Sequence, residues 1–141
     1  MHKMLLTTML TSSMFFTHVN ATQKADVEVV QERGTYTLEG TTWKLSSFGL
    51  NRMAVPAGAS IAFKDGQYSG HGGCNGVGGN YTLNDNMLSF AAGFSTMMAC
   101  PELNLEHKYM KALEQVDSYK IEGDVLDLLS QGHSVLRFKA Q

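Results

Sequence analysis

Two cysteines, Cys74 and Cys100, are the side chains whose chemistry depends most on what lies beside them in this 141-residue sequence. A cysteine thiolate next to a general base would be a nucleophile, whereas two cysteines in an oxidising compartment usually form a disulfide. The compartment therefore decides between these two interpretations, and the N-terminal segment is the part of the sequence that bears on it.

The first 21 residues have the organisation of a secretory signal peptide. Lys3 precedes an apolar stretch from Met4 to Phe16, and Val19-Asn20-Ala21 places small residues where a signal peptidase cleaves. A buried N-terminal helix is the structural alternative, but the sequence turns polar directly after this site. We therefore expect a periplasmic or secreted protein without a lipid-attachment cysteine, in which residues 22–37 are a polar lead segment and residues 38–141 the folded domain.

Export favours a disulfide between Cys74 and Cys100, since no odd cysteine is left over. Closing this loop would contribute on the order of 3 kcal/mol to stability through the unfolded state. A paired thiol is not available for catalysis, so a thiol-dependent enzyme is the weaker alternative.

Other side chains that could bind a metal lack suitable neighbours in the sequence. His71, His107 and His133 have no histidine or cysteine pair at the short spacing of a metal site, and we interpret them as solvent-exposed. The carboxylates of Glu102 and Glu106 fit the electrostatics of a helix start without an enzymatic role. The sequence therefore predicts no catalytic residue, no metal and no cofactor.

A glycine-rich segment from Gly70 to Gly79 surrounds the first cysteine. It contains six glycines but lacks the Lys-Ser/Thr ending of a phosphate-binding P-loop, and no strand and helix flank it in the required order. We interpret it as an irregular loop that carries Cys74 into the core.

Composition limits the classes of partner. The formal net charge is −2, and no basic cluster interleaved with aromatic residues is visible, which argues against a nucleic-acid partner. No apolar run is long enough to span a bilayer as a mature helix. A hydrophobic content of 43% predicts one packed domain.

Short segments of alternating polarity predict a sheet, and the residues Asp65-Gly66 and Asn84-Asp85-Asn86 predict tight turns between neighbouring strands. Trp43 and Leu45 share one face of the first strand, and we expect Trp43 to be buried in the core. Connections too short for crossovers predict antiparallel pairing. One helix is expected over Pro101–Val116, where apolar residues recur at spacings of three and four. The predicted fold class is α+β: a strongly curved antiparallel sheet or partly closed barrel of about eight short strands with one packed α-helix.

Methionine is common for this length, with nine in the chain. Four of them lie near the second cysteine in the sequence, and we expect these to fill the core. The alternative is an adaptable binding surface. The four are Met87, Met97, Met98 and Met110.

Three motifs occur along the domain at a specific separation. They are Gly40-Thr41-Thr42-Trp43-Lys44-Leu45, then Gly73-Cys74-Asn75-Gly76 with Gly79-Asn80-Tyr81, and finally Ser95-Thr96-Met97-Met98-Ala99-Cys100 with Glu106 on the following helix. The specific feature is the Gly-Cys-Asn motif followed at this separation by Thr-Met-x-x-Cys. Together the motifs resemble the META domain, the family of HslJ-like heat-inducible envelope proteins, and the resemblance covers Leu38 to Ala140.

The resemblance implies a single α+β domain in the bacterial envelope, linked to the heat-shock response and to novobiocin resistance. No enzymatic activity is established for the family, so no catalytic residue is carried over. The positions that match its motif include Cys74, Asn75, Thr96, Met97 and Cys100. This chain departs from many relatives in lacking a lipid-attachment cysteine after its signal.

Two functional hypotheses follow. The first is a non-enzymatic envelope stress-response or assembly module that acts by binding other envelope proteins. The second is a carrier that holds a small apolar ligand inside the curved sheet. They differ in whether Trp43, Phe63, Phe90 and Phe138 fill the interior or leave a cavity.

Asn75 is the motif residue with the sharpest structural hypothesis. Its amide can both donate and accept, and it lies in a segment whose backbone groups lack regular partners. We expect it to connect this segment to Ser95–Cys100, with Thr96 as a partner. The alternative is that it points outward and contacts a ligand or partner.

Overall fold

The computed structural model describes residues 35–49 and 53–141. The predicted signal peptide of residues 1–21, and most of the predicted lead segment of residues 22–37, lie outside them. The described residues form nine strands and one helix, so the fold is α+β as predicted. In chain order these are β1 (Thr42–Ser47), β2 (Ser60–Lys64), β3 (Gln67–His71), β4 (Gly76–Asn84), β5 (Met87–Phe90), β6 (Phe94–Ser95), α1 (Leu103–Glu114), β7 (Ser118–Glu122), β8 (Val125–Ser130) and β9 (His133–Ala140).

The strands form a ring in the order β3-β2-β1-β9-β8-β7-β5-β4, because β3 also pairs with β4. The named strands pair in antiparallel fashion throughout. The ring is thinnest between β5 and β7, where Met87 and Ser118 are the single registered pair. The predicted partly closed barrel is therefore confirmed, with β6 added beside β4 as a ninth, short strand.

Turn chemistry explains why neighbouring strands pair as hairpins. Asp65 and Gly66 join β2 to β3 with positive φ angles of 50° and 78°. This conformation suits the twist of a two-residue hairpin, and an Asp-Gly pair tolerates it. Asp85, between β4 and β5, has a φ of 53°. The sequence signals for these turns are confirmed.

The interior of the ring is filled by aromatic side chains. Trp43, Phe63, Phe90 and Phe138 are each at most 8% exposed. The ring of Phe63 lies 5.3 Å from that of Tyr81 and 6.0 Å from that of Phe90. Alternation along each strand places these residues on the inner face, as expected for a sheet with one buried side.

Helix α1 covers the sheet through the apolar face that its spacing predicted. Tyr109 and Leu113 are buried, and α1 packs against β5 and β9. The Tyr109 ring lies 6.3 Å from the Phe138 ring. No helix among the described residues is long and apolar enough to cross a membrane.

The glycine-rich segment differs from the prediction of an irregular loop. Strand β3 continues to His71 and β4 begins at Gly76, so only residues 72–75 lie outside a strand. Glycine is needed where other groups approach the backbone closely: a Cβ added to Gly78 would lie 2.9 Å from the Phe94 ring. The glycines therefore permit close packing around two paired strands rather than prevent strand formation.

Candidate functional site

Cys74 and Cys100 form a disulfide that joins the turn after β3 to the segment just before α1, which begins at Leu103. Their Cα atoms are 5.9 Å apart across a separation of 26 residues. Cys74 is buried and Cys100 is half-buried. The disulfide holds together two segments whose sequence motifs suggested a common site.

The carboxylate of Glu106 lies directly beside this disulfide and is buried, with 1% of the residue exposed. It accepts three hydrogen bonds: from the backbone N–H of Cys74 at 3.0 Å, from the backbone N–H of Asn75 at 2.6 Å and from Asn75 Nδ2 at 2.8 Å. Gly72 makes room for it, since a Cβ there would lie 2.6 Å from Glu106 Oε2.

Two opposing effects act on the pKa of Glu106. Burial raises the pKa, but the hydrogen bonds from Asn75 and Cys74 favour the charged form and outweigh it, so the pKa is lowered. The group is therefore a structural carboxylate that stays ionised, with its oxygens occupied by protein donors.

Asn75 lies between Glu106 and the segment that follows β5, and it is 1% exposed. Its Oδ1 accepts from Thr96 Oγ1 at 2.9 Å and from the backbone N–H of Met98 at 2.7 Å. Its Nδ2 donates to Glu106 Oε1 and, at 3.3 Å, to the backbone carbonyl of Met98. The side chain points inward and connects the segments that the structural hypothesis named; how much stability it contributes stays a prediction.

Residues 91–99, which we call the exposed segment, are by contrast all exposed. Phe94 is 69% exposed, Met97 99% and Met98 57%. The expectation that the methionines fill the core is wrong for Met87, Met97 and Met98, and only Met110 packs against the core. Met97 and Met98 stay outside because the polar groups of Thr96 and of the Met98 backbone are hydrogen-bonded to the buried Asn75 side chain.

The exposed segment is held in place at several points. The backbone N–H of Thr96 donates to the carbonyl of Gly76 at 3.0 Å, Met98 makes two backbone bonds to Asn75, and Cys100 is in the disulfide. A groove of ≈ 260 Å³ lies between this segment and α1. It is lined by Asn75, Ser95, Thr96, Met97, Met98, Ala99, Leu103 and His107. The segment is thus an apolar surface on a fixed backbone.

Trp43 and Tyr81 lie with the strand entry at Leu38–Glu39 and not with this cluster. Trp43 is fully buried and donates from Nε1 to the carbonyl of Leu38 at 3.1 Å. The Tyr81 hydroxyl bonds to the Glu39 carboxylate. Burial, and then this hydrogen bond, raise the pKa of Tyr81. The structure therefore assigns the motif residues to two separate places.

Sequence reasoning missed the central part that Glu106 has in the cluster. It was interpreted as a helix-start charge, although it lies three residues before Tyr109 and seven before Leu113, on the buried face of α1. A carboxylate within an apolar stripe was the signal that could have identified it. His71 was also expected to be exposed; it is half-buried, and its Nδ1 accepts from the backbone N–H of Gly73 at 3.1 Å.

Comparison with known proteins identifies the domain. Residues 36–141 match the family model of the META domain. An NMR structure of a protein from Burkholderia xenovorans is 29% identical, with a TM-score of 0.62 over 74% of this chain and 83% of that one. A crystal structure of a DUF4847 family protein from Bacteroides vulgatus is 17% identical and shares the fold, with a TM-score of 0.57 over 72% of this chain and 93% of that one. No curated protein matches the sequence.

Proposed function

The chain belongs to the META domain family, and from that premise we propose that it is a non-enzymatic envelope module that binds other proteins through residues 94–98 of its exposed segment. The observation that carries the proposal is the contrast at this segment. Phe94, Met97 and Met98 are exposed, while the backbone that presents them is tied to Asn75 and a disulfide. Binding surfaces benefit from such an arrangement, because a fixed backbone loses little entropy on association and methionine adapts to its partner.

The groups that could do chemistry here are already engaged, which favours binding over catalysis. Both cysteines are in the disulfide, so neither thiol is a nucleophile. Both oxygens of Glu106 accept hydrogen bonds from the protein itself. A non-enzymatic role agrees with these contacts.

The compartment and the stress role are the finer parts of the proposal. A disulfide is consistent with an exported protein in an oxidising compartment. With the family resemblance, it supports a part in envelope stress response or assembly, with envelope proteins as partners.

The carrier hypothesis has less support. Four aromatic side chains occupy the interior in which a small apolar ligand would be held. A carrier of this fold would have to bind its ligand on the outer surface.

Site-specific photocrosslinking in cells tests the proposal. A photoreactive amino acid at Met97 should crosslink to one or a few envelope proteins, more strongly after heat stress, and each should bind the purified domain. The control position is Lys120, which is exposed on β7. Adducts at Met97 no different from those at Lys120 would contradict the proposal.

A further inference from the structure

A second groove lies along α1 and shares one lining residue, His107, with the groove beside the exposed segment. The first is lined by Met97, Met98 and His107 among others, and the second, of ≈ 360 Å³, by His107, Lys108, Lys111, Ala112 and Gln115. His107 lines both grooves, and we call the two together the α1 groove. The methionines line the first groove and the two lysines line the second.

The charge on the α1 groove has one sign. Lys108 and Lys111 lie on the exposed face of the helix, and no acidic side chain lines either groove in the part of the chain that the structure describes. The nearby carboxylate of Glu106 is buried and hydrogen-bonded. Glu114, three residues after Lys111, is exposed, but it lines neither groove. A basic groove on a chain of net charge −2 is a local feature and not a consequence of composition.

We propose that the α1 groove binds an acidic polypeptide segment that carries apolar side chains, a proposal that rests on the proposed protein-binding function. The apolar side chains of the partner would contact Met97 and Met98. Its carboxylates would lie near Lys108 and Lys111. Charge complementarity of this kind selects partners and accelerates encounter more than it adds affinity.

A synthetic peptide tests the chemistry directly. The probe is a labelled peptide of about eight residues that alternates glutamate with leucine, long enough to span roughly 26 Å when extended. Its matched control carries lysine in place of glutamate. We expect the acidic peptide to bind in fluorescence polarisation, to shift the NMR signals of the Met97 and Met98 amides, and to lose affinity as salt is raised.

Charge reversal on the protein provides the second arm. The double variant Lys108→Glu and Lys111→Glu should weaken the acidic peptide by about tenfold or more, a change of ~1.4 kcal/mol or greater. Lys44 and Lys139 are exposed and opposite each other on β1 and β9, so Lys44→Glu with Lys139→Glu changes the net charge equally and should leave binding unchanged.

Three results would overturn the proposal: equal binding of both peptides, equal loss in both double variants, or no peptide binding. Sedimentation with phosphatidylglycerol vesicles in place of peptide binding would assign the groove to a membrane surface and would also overturn it. If the photoreactive group at Met97 captures specific proteins but the acidic peptide fails, this inference is wrong and the proposed function stands. If no protein is captured, the proposed function fails.

Discussion

Replacing Asn75 by aspartate would place a second carboxylate beside Glu106 without changing the size of the side chain. The new oxygen would take the position of Nδ2, which lies 2.8 Å from Glu106 Oε1. Two unit charges at that distance repel by about 6 kcal/mol at an effective dielectric constant of 20. Folding of Asn75→Asp would therefore favour a state in which the two carboxyls share one proton.

The free energy needed to bind that proton in the folded state sets how much Asn75→Asp is destabilised. Binding a proton at pH 7 to a group whose unfolded pKa is near 4 costs about 4 kcal/mol, and about 1.4 kcal/mol less for each unit by which the pH falls. The shared folded pKa is raised, so the stability of the variant is greatest at low pH and is lost as the pH rises. We expect Asn75→Asp to be destabilised by about 4 kcal/mol at pH 7 and by ~1.4 kcal/mol at pH 5, relative to wild type at the same pH.

Asn75→Ala separates the charge effect from the loss of hydrogen bonds. It removes four side-chain hydrogen bonds. Thr96 and Met98 are exposed, so water can replace the amide there. Glu106 keeps its hydrogen bonds from the backbone N–H groups of Cys74 and Asn75. We expect a loss of roughly 1–3 kcal/mol that changes little between pH 5 and 7. Asn80→Asp, at an exposed position of β4, should change stability by less than ~0.5 kcal/mol.

Urea denaturation of the disulfide-intact proteins, measured at both pH values, gives these differences. A deficit of Asn75→Asp that is the same at pH 5 and pH 7 would show that no proton is shared with Glu106. An unchanged midpoint for Asn75→Ala would refute the inference that the amide connects the two segments.

Three further predictions test the cluster and the helix. Natively exported protein should show no reactive thiol when titrated under denaturing, non-reducing conditions, and two thiols per chain would revive the thiol-enzyme hypothesis. Tyr109→Asp and Leu113→Asp should each lower the melting temperature severely, because an unpaired charge would be buried at a cost of several kcal/mol, whereas Lys108→Asp on the exposed face should not. Glu106→Gln should lower the free energy of unfolding at pH 7 far more than Glu102→Gln at the exposed helix start. Because the folded pKa of Glu106 is lowered, its contribution is present at neutral pH and disappears as the pH falls below about 4.5, so the two variants should converge with wild type in acid.

Local sequence patterns were sufficient for much of the architecture. Alternation placed Trp43 and Leu45 on the inner face of β1, Asp65-Gly66 predicted a hairpin, and spacing of three and four placed Tyr109 and Leu113 on the docked face of α1. Each of these features depends on residues close together in the sequence, so the local pattern is sufficient to predict it.

Only the tertiary structure decided which polar residue is buried and which apolar residues are exposed. Glu106 is buried because donors from Cys74 and Asn75, more than 30 residues away, meet it beside Gly72. Met97 is exposed because its neighbours are held by polar bonds to Asn75 and not by an apolar face. Local pattern assigns a carboxylate to water and a methionine to the core, since that minimises the cost of burial for each alone. Contacts between distant segments reverse both assignments, because the hydrogen bonds compensate the buried charge and fix the backbone that presents the methionine.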